Sequence, residues 1–260
     1  MKLKKKEWIP YGIVIVLLFI GACYDYQITD ALYHRAYGIS MLFERFLLIP
    51  VQSIVIITMC MIQRKTPCWW TMPIAFIASG YMIQDALHYW VKLDTIWLLV
   101  TAVSAVVYTL VIYLIIKRIP TYWLDKHLHF FVFFTKVLIT AIFITTILKT
   151  VWGRIRYRDI QDVTQFCVWY RPCGLVGNHS FPSGHTTAFT SILCLLQWKQ
   201  NTYEKPSPLR YGLITLFIIA MPLTRMIMGA HFLSDTAVGF CITYTVYLAY
   251  RQYDRKRGFI

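Results

Sequence analysis

The chain alternates long apolar runs with short polar stretches, a pattern that predicts membrane-length helices. Trp8 to Cys23, Leu47 to Ile62, Ile96 to Ile116, Phe130 to Leu148 and Tyr211 to Met228 are nearly unbroken in apolar character. Each approaches the ~20 residues that a helix needs to cross ~30 Å of hydrocarbon. Met72 to Trp90 and Thr186 to Trp198 carry polar interruptions, and Thr236 to Tyr250 is aromatic-rich. The pattern predicts an all-α, polytopic transmembrane helix bundle of about eight spans, without a repeat or a separate soluble domain. Lys2, Lys4, Lys5 and Lys6 ahead of the first run also suit a leader peptide. The following Tyr24-Asp25-Tyr26 offers no small-residue cleavage site, which favours a retained first helix.

Composition sharpens the class. Hydrophobic residues make up 58% of 260 residues, charged residues only 15%, and the mean hydropathy is +0.54, values of an integral membrane protein. Charge then orients it, because cytoplasmic connections retain Lys and Arg. With a cytoplasmic N-terminus, alternate connections place Arg64 and Lys65, then Lys117, Arg118 and Lys126, then Lys199, Lys205 and Arg210 on that side. Arg251, Arg255, Lys256 and Arg257 follow there, so an even span count puts both termini in the cytoplasm. The net charge of +14 is thereby accounted for by topology and by contact with the anionic lipid bilayer. No basic nucleic-acid recognition module is present.

One extracytoplasmic stretch departs from the rule: Lys149, Arg154, Arg156, Arg158 and Arg171. A solvated loop tolerates such charge, whereas an anion site requires it. Lys149 and Arg156 lie seven residues apart, two turns on one face if the preceding helix continues. Arg225, at the outer end of a later span, is expensive there without an anionic partner. Pro182, Ser183, Gly184 and His185 precede another apolar run. Pro suits a helix start, Gly permits close backbone approach, and the Ser hydroxyl with helix-terminal N–H groups forms a phosphate cradle. His231 and Asp235 are four apart, so Asp235 is placed to accept from one imidazole nitrogen and leave the other free to attack.

These residues resemble the type 2 phosphatidic acid phosphatase superfamily (PAP2), which also includes lipid pyrophosphate phosphatases, glucose-6-phosphatase and vanadium haloperoxidases. The first family motif, Lys and then Arg-Pro after six residues, is similar to Lys149 through Arg156, with Tyr157 in place of Pro. The second is unaltered at Pro182 to His185, and the third is similar to Thr224, Arg225, His231 and Asp235, with Thr224 in place of Ser. The resemblance covers the chain from about Leu128 onward, which suggests N-terminal transmembrane helices over 1–126 and a phosphatase core over 127–260 in a single membrane domain. It implies His231 as nucleophile, Asp235 as its orienting partner and His185 as proton donor to the leaving group. Lys149, Arg156, Ser183, Gly184 and Arg225 would bind phosphate. Arg154 and Arg158 either contact a second phosphate or headgroup, or are solvated, and the Thr224 hydroxyl preserves a hydrogen bond. The chemistry needs no cofactor and no metal.

Other residues carry weaker expectations. His34, His88, His127, His129 and His179 show no closed metal-ligand pattern, and Lys136 inside a span either snorkels or pairs with another helix. Cys167 and Cys173 share the outer loop, where their separation permits but does not require a disulfide. Phe166, Trp169, Tyr170 and Phe181 serve there as interfacial anchors or as a lid. The expected substrate is a membrane lipid phosphate: phosphatidic acid, phosphatidylglycerophosphate, a polyprenyl diphosphate or lipid A. A lipid phosphotransferase and a non-catalytic anionic-lipid binding or transport protein are the alternatives.

Overall fold

The computed structural model describes residues 4–34, 38–87, 94–198 and 207–258. Lys2, His88, Lys199 and Lys205 of the sequence reading lie outside the described residues, as does the end of the run at Trp90. Among the described residues the chain is helical and without strands. Its helices are α1 (Ile9–Leu32), α2 (Gly38–Arg45), α3 (Leu48–Lys65), α4 (Thr71–Leu87), α5 (Thr95–Arg118), α6 (Thr121–Trp152), α7 (Gly184–Thr190), α8 (Pro208–Ile227) and α9 (Leu233–Lys256).

Among the described residues five stretches are long and apolar enough to cross a membrane: 5–32, 38–65, 95–118, 121–159 and 208–227. The other predicted spans are helical but fall short by that measure. α4 has 17 residues, and α9, with 24, is too polar. The run after Gly184 changes character midway, with seven α-helical residues followed by a 3-10 segment over Ser191–Gln197. Thr190 Oγ1 donates to the Thr186 carbonyl at 2.7 Å and Ser191 Oγ to that of Ala188 at 2.6 Å. Such side-chain competition for helix carbonyls accompanies the tightened turn. α6 starts nine residues before the apolar run at Phe130, because the polar segment around Asp125 and His127 continues the helix.

On α1 and α5 burial is inverted relative to a helix of a water-soluble protein. α1 turns Ile9, Ile13, Ile15 and Phe19 outward, and α5 does the same with Ile96, Leu99 and Val103. Asp25, Thr29, Thr101 and Thr109 face inward. Outward apolar and inward hydroxyl-bearing faces are what hydrocarbon solvent selects, and they make this a membrane protein.

The chain divides into two compact units, 1–44 with 137–260, and 45–136. This division differs from one drawn at residue 126, since α1 groups with the C-terminal helices. In the 45–136 unit, α3, α4 and α5 pack mutually around paired polar side chains. Ser53 Oγ lies 2.8 Å from Tyr108 Oη, Ser79 Oγ 2.8 Å from Thr109 Oγ1, and Gln52 Nε2 donates to Asp85 Oδ2 at 3.2 Å.

In the other unit α1 runs antiparallel to α9. Near one end Arg251 pairs with Glu7 and Tyr11 meets Thr245 at 2.9 Å. Near the other, Asp25 accepts from the Ser234 amide at 3.0 Å. The 18 residues from Glu7 to Asp25 separate these contacts by about 27 Å of helix. α9 also approaches α7 closely, and glycine is required there: a Cβ on Gly239 would meet the Ser183 carbonyl oxygen at 2.7 Å.

Candidate active site

α6 delivers Lys149 in its last turn and then stops at Trp152. Gly153 takes φ +63°, and a Cβ at that position would lie 1.8 Å from the Gly174 carbonyl oxygen, so the chain leaves the helix through a turn reserved for glycine. The predicted helical continuation to Arg156 is thereby corrected: Arg156 sits in extended backbone, φ −78° and ψ 149°, ahead of a short 3-10 turn. Backbone hydrogen bonds stitch this segment to the other two motifs. The Arg158 amide donates to Gly229 O at 3.0 Å, Ser180 N to Arg154 O at 2.9 Å, and Ser183 N to Asp235 O at 2.9 Å.

His231 lies in the turn between α8 and α9, only 2% exposed. Its Nδ1 is 2.6 Å from the Ser180 carbonyl oxygen and 3.8 Å from Asp235 Oδ2. The expected Asp235–His231 hydrogen bond is therefore replaced by one to Ser180. Asp235 Oδ2 is instead occupied by Ser180 Oγ at 2.6 Å and the Phe232 amide at 2.9 Å. A carbonyl only accepts, so Nδ1 carries the hydrogen, and in the neutral ring the lone pair resides on Nε2. Burial first, with the nearby Lys149 and Arg225 cations adding to it against the Asp235 carboxylate, holds the imidazole down at about 3.

The same two cations act on His185, the second residue of α7, so Lys149, His185, Arg225 and His231 share one locality. Lys149 Nζ donates to the His179 carbonyl at 3.1 Å, and a Cβ added to Gly184 would lie 3.4 Å from that ammonium. Ser183 is buried as the N-cap of α7, its Oγ accepting from the Thr186 amide at 3.3 Å. Arg225, near the end of α8 and 2% exposed, donates through Nη2 to Glu44 Oε1 at 2.7 Å. Its Nε and Nη1 are buried without a hydrogen-bond partner. A buried guanidinium with spare donors is suited to receive an anion.

The structure corrects two accessory assignments and places a third. Arg154 is neither solvated nor open to a ligand: fully buried, it donates from Nε to Cys167 O at 2.7 Å and from Nη1 to Ser234 Oγ at 2.9 Å and Asp235 Oδ1 at 2.5 Å. Nη2 reaches Asp25 Oδ2 at 3.0 Å. Thr224 Oγ1 donates to the Met221 carbonyl of its own helix at 2.8 Å rather than into the site. Arg158, partly exposed, approaches Glu44 Oε1 at 3.5 Å. Tyr157, in the place of the motif's proline, donates its hydroxyl to Asp30 and packs on Tyr33 at 5.2 Å, tying the turn to α1.

The loop between α6 and α7 is folded rather than draped. Cys167 and Cys173 form a disulfide. Phe181 is buried and stacks on Trp152 at 4.6 Å, while Phe166 and Phe232 lie 5.3 and 4.2 Å from the Arg154 guanidinium carbon. Trp169 Nε1 donates to Leu18 O of α1 at 3.0 Å, and only Tyr170 of the four expected anchors is exposed. Sequence reading missed Asp25, Glu44, Ser180 and Ser234. Asp25 and Glu44 carry the clearest missed signal, as acids in or beside membrane-length stretches where a carboxylate needs a partner. Among the described residues no group of three or more His, Cys, Asp or Glu side chains is arranged to hold a metal ion.

A family model described as the PAP2 superfamily matches residues 130–259, half of the chain. No curated protein and no solved structure matches it.

Proposed function

The chain belongs to the PAP2 superfamily, a phosphatase-type family, and from that premise we propose that it is an integral-membrane lipid phosphatase acting through a phosphohistidine on His231. The observation that carries the reading is the His231 environment: Nδ1 committed to the Ser180 carbonyl in a ring kept neutral, which leaves the Nε2 lone pair to attack. The P–O bond to the alcohol breaks as the N–P bond forms, and the ring becomes cationic. The Asp235 carboxylate, 3.8 Å away, stabilises that charge without taking the proton.

Lys149, Arg156 and Arg225, with the Ser183 hydroxyl and the Gly184 amide, hold the phosphoryl oxygens as charge builds on them. His185 moves the protons. Its Nε2 lies 3.3 Å from the Glu44 carbonyl and donates to it, so Nδ1 exchanges the protons: the imidazolium, favoured once a phosphate dianion is bound beside the ring, hands one from Nδ1 to the leaving oxygen, and the neutral ring so formed takes one from water. Water then splits the N–P bond and releases orthophosphate. The chemistry requires no metal, because side-chain cations and backbone dipoles supply the positive field.

A lipid substrate is favoured by the outward apolar surfaces and by helices of membrane length. The antiparallel α1–α9 pair supports an orientation. The basic residues Lys4, Lys5, Lys6, Arg251 and Arg255 gather near the end opposite Asp25 and Ser234, which favours cytoplasmic termini and an extracytoplasmic site in the cell membrane.

The test is orthophosphate release by detergent-purified protein with divalent ions chelated, offered phosphatidic acid, phosphatidylglycerophosphate, undecaprenyl diphosphate, lipid A and glucose-6-phosphate. Release from a lipid is expected, with loss in His231→Ala and an acid-labile phosphoryl label on the wild-type protein. Undiminished release by folded His231→Ala would remove the nucleophile. A labelled protein that passes phosphate to an alcohol but not to water would instead be a phosphotransferase.

A further inference from the structure

We infer that Glu44 is a positioning residue of the phosphate site, setting the direction of Arg225 and trimming the positive field that holds phosphate; the inference rests on the phosphatase reading above. Glu44 belongs to α2, outside all three family motifs and outside the residues that the family model matches. It is nonetheless 3% exposed and touches two site groups at once. Its carboxylate accepts from Arg225 Nη2 at 2.7 Å, and its backbone carbonyl lies 3.3 Å from His185 Nε2. The carboxylate secures one nitrogen of the guanidinium while Nε and Nη1 remain buried without partners.

Two consequences follow. A guanidinium gripped at Nη2 has lost the rotation that would otherwise be frozen by phosphate, so its spare donors are preorganised. The carboxylate also sits close to where a phosphate dianion would bind. Lys149 and Arg225 bring positive charge to that place, and the Glu44 carboxylate, which Arg158 also approaches at 3.5 Å, offsets part of it. Phosphate is then held by directed hydrogen bonds in a weakened field, which favours release of the product.

Direction and charge are separable by substitution. Glu44→Gln keeps an acceptor for Nη2 and removes the negative charge, so orthophosphate should bind more tightly, by roughly ten-fold. Glu44→Asp keeps the charge but withdraws it by one methylene from Nη2, so orthophosphate should bind more weakly, by a similar factor. The measurement is calorimetric titration of purified wild type and both variants with inorganic phosphate, with the kcat and KM of lipid hydrolysis alongside.

Opposite shifts in phosphate affinity are the expected result, with kcat reduced in Glu44→Gln as release slows. Shifts of the same sign, or unchanged affinity in protein of wild-type thermal stability, would overturn the inference, since a merely structural carboxylate changes folding and leaves the affinity of the folded protein alone. If wild type binds phosphate but hydrolyses no lipid, the phosphatase reading fails while the two variants still report on Glu44. If wild type binds no phosphate, both fail.

Discussion

Arg154 and Arg225 are both buried to within 2% of full enclosure, yet their surroundings are opposite. Arg154 faces two carboxylates, Asp25 and Asp235, a serine hydroxyl and a peptide carbonyl, with aromatic rings from Phe166 and Phe232 against its guanidinium. Arg225 pairs with Glu44 and keeps Nε and Nη1 without partners. Burying a cation is tolerable only when its charge and donors are answered. Arg154 is answered from within the protein, whereas under the proposed function Arg225 is answered by phosphate. The former behaves as a keystone between α1 and α9, and the latter is proposed as part of the binding surface.

The strongest way to break this contrast is Arg154→Met. It leaves the Asp25 and Asp235 carboxylates in the interior without their shared cation, and removing one partner of a buried pair costs about 3–5 kcal/mol. Thermal unfolding in detergent should show that loss, and Arg154→Lys should restore little of it, because one ammonium cannot span the acceptors that the planar fork reaches. A loss below about 1 kcal/mol, the range of an exposed pair, would deny the keystone role.

Arg225→Gln should separate activity from stability. The amide still donates to Glu44, so folding changes less than in Arg154→Met, while the charged donors to phosphate disappear. A fall in kcat/KM of roughly 10²–10³ is expected, the cost of removing one transition-state donor. Equal unfolding midpoints for Arg154→Met and Arg225→Gln, with equal residual turnover, would erase the distinction.

The Cys167–Cys173 disulfide bears on the Arg154 side. Cys167 supplies the carbonyl that accepts from Arg154 Nε, and its bond to Cys173 closes a loop of sequence separation 6. Cross-linking so short a loop is worth about 2 kcal/mol in the chain-entropy account. The Cys167→Ser, Cys173→Ser double variant should lose stability by that order. It should lose less phosphate affinity than Arg225→Gln, because the Arg225 side chain bonds Glu44 and not the segment that the disulfide closes.

Much of the Arg225 side was legible in the sequence, and little of the Arg154 side. Lys149, the Pro182–His185 turn, Arg225, His231 and Asp235 stand out because their spacing is chemical and local. Asp25 and Glu44 act on arginines 129 and 181 positions away, a separation that no periodicity encodes. Arg154, Arg156 and Arg158 look alike in sequence. Only the turn at Gly153 decides that the first of them points inward. The same turn ends the helix on which the Lys149–Arg156 facing argument relied. Hydrophobic runs located the helices well, since lipid selects outward apolar faces, and they included α9 through Thr236–Tyr250, although its polar ends keep that helix short of the membrane-crossing measure.

The smallest effect is a slope in pH, and it belongs to His231. An ordinary histidine binds a proton below about 6.5, whereas burial, with Lys149 and Arg225 nearby, holds this ring down at about 3. Between those values the unfolded chain binds a proton that the folded protein refuses, so folding stability falls as pH is lowered, by at most ~1.4 kcal/mol per pH unit. Carboxylates titrate at the acid end of that window, so the informative quantity is the difference between wild type and His231→Asn from pH 6.5 to 5. The variant should be relatively more stable at the lower pH. Bound orthophosphate should shrink the difference, because a dianion beside the imidazole favours its protonated form. A difference that is flat with pH would mean that the ring titrates in the folded protein as it does in the unfolded chain, so burial would no longer be what keeps the Nε2 lone pair unprotonated.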